Sequence, residues 1–329
     1  MRLKTMLLCA VLAACGGEGT APETEAETET SDDIAASTDD GVLFVFATPE
    51  EGGDVLAAQD EYTAELQKRE IGIRARDAAV TRFGDLAPLY RQDTLPWTDE
   101  EKDALRDAIN TLLPTVSSID QHLPERVLLV KTGEIVEGGL PHTRANAIIF
   151  AGGGIPSGGP LKALFLHELH HVMTRANPQM ADEYYRIVGF EPCRFAEPVA
   201  LRKNRLSNPD AATYKHFAPV GRDDAEGVIP YLYANRDYDG EGRLPAYFGF
   251  GLLPVDVEDG VCTSKTAGPD GLLAPDAVPE FAALIGSNTG YIIHPEEVLA
   301  DNFVFWAMER GDLPNPEIPD AVGAFWLGE

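Results

Sequence analysis

The ten residues from Leu164 to Met173, LFLHELHHVM, constrain this chain more than any others. His167 and His171 stand four apart with Glu168 between them, the pattern H-E-x-x-H. On an α-helix such positions share a face about 6 Å apart along the axis, so two imidazoles can reach one zinc ion. Glu168 then projects beside the ion rather than at it, where a carboxylate can take a proton from a metal-activated water. The helical wheel supports this. Phe165, Leu166, Leu169, Val172 and Met173 gather on one side for a core, and His167, His171, Ala163 and Thr174 gather on the other to floor a cleft. Gly159-Pro160 is a helix start and Asn177-Pro178 a stop. His170 is expected at the cleft rim or behind the ligands.

Zinc needs a third protein ligand and an open position for water. A histidine closing H-E-x-x-H-x-x-G-x-x-H would fall at position 177, which is Asn177. The better candidate follows His294-Pro295, where Glu297 and Asp301 lie four apart in a segment that is apolar nearly all round through Met308. Two carboxylates on one face of a buried helix are costly unless a metal, a histidine N–H or a cation compensates them. A zinc ion for Glu297 and a ligand histidine for Asp301 satisfies both. Glu197 and Glu183 are nearer rivals, but Leu201 and Ile187 stand four residues beyond them where an acid is wanted.

These two segments together resemble the gluzincins, the thermolysin-like clan of zinc metallopeptidases. The resemblance implies an α+β, zincin-like domain with an active-site helix and a mainly helical C-terminal part. It implies one zinc ion held by His167, His171 and Glu297, with Glu168 as base, Asp301 orienting a zinc histidine, and Tyr291 or His294 as donor to the developing oxyanion. The substrate class is a peptide or protein. A surface lipoprotein that kept a structural zinc, or none, and acted by binding a partner is the rival reading, and it would not need Glu168. A zinc hydrolase acting on something other than peptides would use the same chemistry.

The N-terminus has a different logic. Arg2 and Lys4 form a charged region, Met6 to Leu12 an apolar run too short to span a bilayer, and Leu12-Ala13-Ala14-Cys15 a small-residue cleavage site. This resembles the lipobox of bacterial lipoproteins. The resemblance implies a signal peptide over residues 1–14, lipid on Cys15, and tethering in the cell envelope. Gly16 after the cysteine goes with the outer membrane in such proteins. Residues 15–41 are acidic, with no basic residue and few large apolar ones, the composition of a disordered tether. Residues 42–329 are expected to form one catalytic domain, and nothing suggests more than a monomer. A net charge of -28 argues against nucleic acid. In an exported chain, Cys193 and Cys262 are expected to pair as a disulfide.

Local signals fill in the domain. A helix is expected over Gln59 to Gln67, and the capping box at Thr98-Asp99-Glu100-Glu101 opens another through about Leu113, before Pro114. Arg126 to Val130 and Ala147 to Phe150 are expected as strands, and the second is either a substrate-binding edge, with Asn146 and Ala147 along the cleft, or an ordinary interior strand. Gly152-Gly153-Gly154 and Gly158-Gly159 lack the lysine of a phosphate loop and form a flexible lead-in. Ala181 to Val188 is expected as a helix, and Ile229 to Tyr233 is expected to pair as a strand with Ala246 to Leu253. Asn235 to Gly240 starts like a calcium loop, but Ala246 stands where a bidentate glutamate is required, so a hairpin turn is expected.

Overall fold

The strand RVLLVKT is buried along nearly its whole length, the pattern of a strand covered on both faces. In the computed structural model, which describes residues 33–222 and 225–329, it lies at the centre of a mixed sheet. The sheet comprises β1 (Ile34–Ser37), β2 (Leu43–Phe46), β3 (Thr94–Leu95), β4 (Arg126–Thr132), β5 (His142–Arg144) and β6 (Ala147–Phe150). Their order is β1-β2-β4-β6-β5, with β3 also pairing β4. β2, β4 and β6 run parallel, while β1 and β5 are antiparallel edges.

Period-two alternation divides the core between the two faces. Phe44, Phe46, Val127, Leu129, Ile148 and Phe150 point to one face, and Leu105, Ile109 and Leu112 of the helix Asp99–Ser117 meet Phe165, Leu169 and Val172 there. Val45, Leu128, Val130 and Ile149 point to the other, under Leu56, Tyr62, Leu86 and Tyr90. The helix carrying the histidines, Gly159–Ala176, therefore has its apolar stripe against the sheet. It begins after Gly158, whose φ of 62° suits glycine, and Asn177 Nδ2 donates back to Met173 O at 2.9 Å at its other end.

The stretch between this helix and Glu297 builds a second sheet of β7 (Glu191–Pro192), β8 (Arg194–Ala196), β9 (His216–Arg222), β10 (Ala225–Ala234), β11 (Phe248–Glu258) and β12 (Val261–Ser264). Its order is β7-β9-β10-β11-β12-β8. β7 and β8 are separated only by Cys193 yet occupy opposite edges, so the sheet curls until its edges meet. The Cys193–Cys262 disulfide fastens that seam, with Ile229, Tyr231, Leu253 and Val255 packed inside. The expected pairing of Ile229 to Tyr233 with Ala246 to Leu253 is found in β10 and β11, with β11 beginning at Phe248 rather than Ala246.

Beyond the histidine helix, helical character dominates only after β12, in Pro279–Ile285, Pro295–Ala307 and Glu317–Leu327. The expectation of a mainly helical C-terminal part therefore holds for the last fifty or so residues rather than for everything beyond the histidines. The helix Pro295–Ala307 packs on both Gly159–Ala176 and Glu317–Leu327, which is why it is apolar nearly all round.

Several local expectations change. β1 lies inside the segment expected to be a tether, so the folded part begins before Val42. The capping box at Thr98 forms, but its helix runs through Pro114 to Ser117. Asn110 and Pro114 are both exposed, so the carbonyl freed by the proline faces water. The helix expected over Gln59 to Gln67 shrinks to Glu61–Glu65, capped by Asp60. β6 is interior, and the edge on its side of the sheet is β5. Asn235 to Gly240 opens a longer connection rather than a tight turn, in which Asp239 is held by Arg236 and Tyr247. No described helix is long and apolar enough to cross a membrane. The signal peptide, Cys15 and residues 16–32 lie outside the described residues.

Candidate metal centre

Two crossing helices supply the centre. The ligand atoms of His167, His171 and Glu297 lie within 4.8 Å of one another. Glu297 Oε2 is 3.1 Å from His167 Nε2 and 3.3 Å from His171 Nε2. Atoms held about 2.0–2.1 Å from a tetrahedral ion are about 3.3 Å apart, so these separations are those of a ligand set. Both rings turn Nε2 inward, and each Nδ1 is backed by a carboxylate, His167 by Asp301 at 3.1 Å and His171 by Glu296 at 2.9 Å. A carboxylate accepting from Nδ1–H fixes the tautomer that leaves the Nε2 lone pair for a metal. His171 Nε2 and Glu168 Oε2 are buried without a hydrogen-bond partner. Such orphaned atoms are costly, and a cation among them would remove the cost. The residues present fit a metal ion.

A second group, His170, His171 and Glu296, could also hold a metal ion. It shares His171 with the first, and apart from His170 Nδ1, which has no hydrogen-bond partner, its atoms are already engaged. Glu296 accepts from Thr174, and from Tyr185 at 2.7 Å, while His170 Nε2 pairs with the Tyr184 hydroxyl at 2.9 Å. Glu296 is therefore better understood as the group that holds the ring of His171. His170 is fully buried beside it rather than at a cleft rim. Burial pushes the His170 imidazole down to about 3, so it is neutral. Burial opposes the charge on Glu296, but His170 and His171 outweigh it and hold the carboxyl at about 2.

The first group opens on a cleft of about 720 Å³, lined among others by Glu168, Tyr291, Asn208, Asp210, Leu244 and Phe305. Tyr291 lies over this cleft, its ring centroid 6.0 Å from that of His167. His294 does not reach it. Its Nδ1 accepts the Glu296 N–H at 3.1 Å as the helix cap, and it lines a separate cavity of about 460 Å³ behind Glu296. Glu197 is bound to Tyr231 and Arg205, and Glu183 is exposed, so neither rival approaches the histidines.

Three site residues carry no sequence signal strong enough to find them. Glu296 adjoins Glu297 and is indistinguishable from it by pattern. Asn208 and Asp210 arrive on a loop from the second sheet. Asn208 Nδ2 donates to Glu297 Oε1, leaving Oε2 toward the histidines. Asp210 lies within 4.8 Å of Glu168 and His171. Burial, then the charge of Asp210, pushes the Glu168 carboxyl up to about 8.

Two measurements probe this arrangement. Glu296→Ala frees the His171 ring and is expected to weaken metal affinity by about 10–100-fold in chelator competition, with Glu296→Gln losing less because it keeps an acceptor. Burial lowers the His167 pKa, but hydrogen bonds to Asp301 and Glu297 outweigh it and hold the ring at about 10 in the metal-free protein. A ligand histidine must be neutral, so metal uptake expels that proton. Affinity is expected to rise by about tenfold per pH unit per proton between pH 7 and 9. The sign for stability is opposite. A raised histidine pKa stabilises the metal-free fold fully below its ordinary value of 6.5, and that contribution is lost as pH rises through about 10.

Comparison with protein-family models, with curated proteins and with solved structures found no match to this chain.

Proposed function

We propose that this chain is a zinc-dependent metallopeptidase of gluzincin type, carried at the bacterial cell envelope, on the outer membrane, by lipid on Cys15. The observation that carries the reading is the inward pair of imidazole Nε2 atoms closed by Glu297, each ring backed by its own carboxylate, with Glu168 beside them. A zinc ion in this set supplies Lewis-acid polarisation of a scissile carbonyl and activation of a water molecule. His167, His171 and Glu297 hold it, and Asp301 and Glu296 keep the rings in the ligand tautomer. Glu168 accepts the water proton and passes it to the leaving amine, with no covalent acyl-enzyme formed. Tyr291 lines the cleft where its hydroxyl can donate to the developing oxyanion. Supporting an enzyme over a binding protein with a structural metal is the placement of Glu168, which such a protein would not need, on the wall of an open cleft.

The test is metal content and activity together. Elemental mass spectrometry of the purified full-length chain is expected to show one zinc per chain, and a quenched-fluorescence peptide library is expected to be cleaved in a zinc-dependent way. A folded protein that takes up no zinc when supplied with it rules the reading out.

A further inference from the structure

Thr143 sits on β5, one edge of the first sheet, and its N–H points off that edge. In many peptide-binding sites such a donor pairs with an extended ligand main chain. Here it is already taken. Asp210 Oδ1 accepts the Thr143 N–H at 2.8 Å and the Thr143 hydroxyl as well.

Asp210 ends a loop from Ser207 that crosses the cleft, and every residue of that loop is fastened. Ser207 N donates to Glu70 Oε2 at 2.7 Å, and Ser207 O accepts from Arg74 at 2.6 Å. Asn208 donates to Glu297, and Pro209 O accepts from Arg175 at 3.2 Å. Arg74 is 2% exposed and also bound to Glu70 and Glu137. Lifting the loop would take an acceptor from a buried guanidinium, so the loop is a fixed wall rather than a lid.

What remains open is bounded, and its lining mixes apolar side chains with charged ones such as Arg74, Glu137 and Arg310. Leu206, Leu244, Phe248, Ile293, Val304 and Phe305 supply the apolar part of that lining. Its volume of about 720 Å³ lies within the range of about 300–1,000 Å³ typical of small-molecule pockets.

We propose that the cleft takes short peptides and excludes extended polypeptide, because the loop over residues 207–210 occupies the edge strand on which a long chain would pair. The proposal rests on the metallopeptidase reading and adds the substrate class to it.

The experiment uses the zinc-loaded full-length chain in mild detergent. A blocked fluorogenic tetrapeptide with Phe at the scissile bond is compared with a twenty-residue peptide carrying the same four residues at its centre. The expected result is a kcat/KM at least 100-fold lower for the long peptide, and at least tenfold weaker binding of it to zinc-loaded Glu168→Gln by calorimetry. Asp210→Ser, or Arg175→Gln should Asp210→Ser not fold, is expected to narrow the gap at least tenfold with zinc content unchanged. Equal cleavage of both lengths overturns this proposal and leaves the peptidase reading standing. Cleavage of neither by a zinc-loaded chain overturns both.

Discussion

Glu297→Ala is expected to empty the metal centre. Apparent binding free energies of about 10–16 kcal/mol for four-ligand structural zinc sites imply about 2.5–4 kcal/mol per protein ligand, so loss of one of three ligands weakens affinity by about 10²–10³-fold. That exceeds the effect expected for Glu296→Ala, which only loosens a ring. The loss also unlocks the local electrostatics. His167 Nε2 and His171 Nε2 both face Glu297, and Asn208 would lose the acceptor that ties its loop to the helix Pro295–Ala307. The control is Glu197→Ala. Glu197 is bound to Arg205 and Tyr231, away from the histidines, so its removal is expected to lower the melting temperature while zinc content stays at one per chain. Zinc measured by elemental mass spectrometry in both variants separates ligand loss from general unfolding. Retention of zinc by a folded Glu297→Ala chain would assign the third ligand elsewhere.

The parts of this site that local sequence could carry are those whose chemistry repeats at helical spacing. His167 and His171 are four apart, Glu297 and Asp301 are four apart, and both pairs lie on helices whose proline and glycine punctuation marks their starts. An acid in an otherwise apolar helix is conspicuous because its burial needs compensation. What pattern could not carry is the choice between adjacent acids. Glu296 and Glu297 differ by about 100° around the helix, and only the packing of Pro295–Ala307 on Gly159–Ala176 decides which meets Nε2 and which meets Nδ1 of His171. Asn208 and Asp210 are further out of reach, because their arrival depends on the curled second sheet, whose closure at Cys193 no local period announces. The tether boundary failed for a related reason. Ile34 to Ser37 is small and weakly apolar, like the linker composition before it, and becomes a strand only because Leu43 to Phe46 is there to pair with it.

Glu168→Gln is expected to separate stability from catalysis in opposite directions. The Glu168 carboxyl is buried, lies near Asp210, and has Oε2 without a hydrogen-bond partner. Burial and Asp210 hold it at about 8 in the metal-free fold, against an ordinary value of 4.5. For a carboxyl with a raised folded pKa, the folded state binds more protons than the unfolded one between those two values. Stability therefore falls as pH rises from 4.5 to about 8 and is insensitive to this group outside that window. At pH 7 the penalty is on the order of 3 kcal/mol. Glutamine keeps the shape and removes the charge, so chelator-treated Glu168→Gln is expected to melt higher than wild type at pH 7, with the difference vanishing below pH 4.5. On the proposed peptidase mechanism the same change removes the proton acceptor, and kcat of the zinc-loaded chain is expected to fall by about 10²–10⁴ with zinc content intact. On the proposed mechanism that cost in stability is carried for the chemistry of the carboxyl rather than for the fold. Wild-type stability in the chelated variant together with unchanged turnover would remove Glu168 from the mechanism and leave the metal in a structural role.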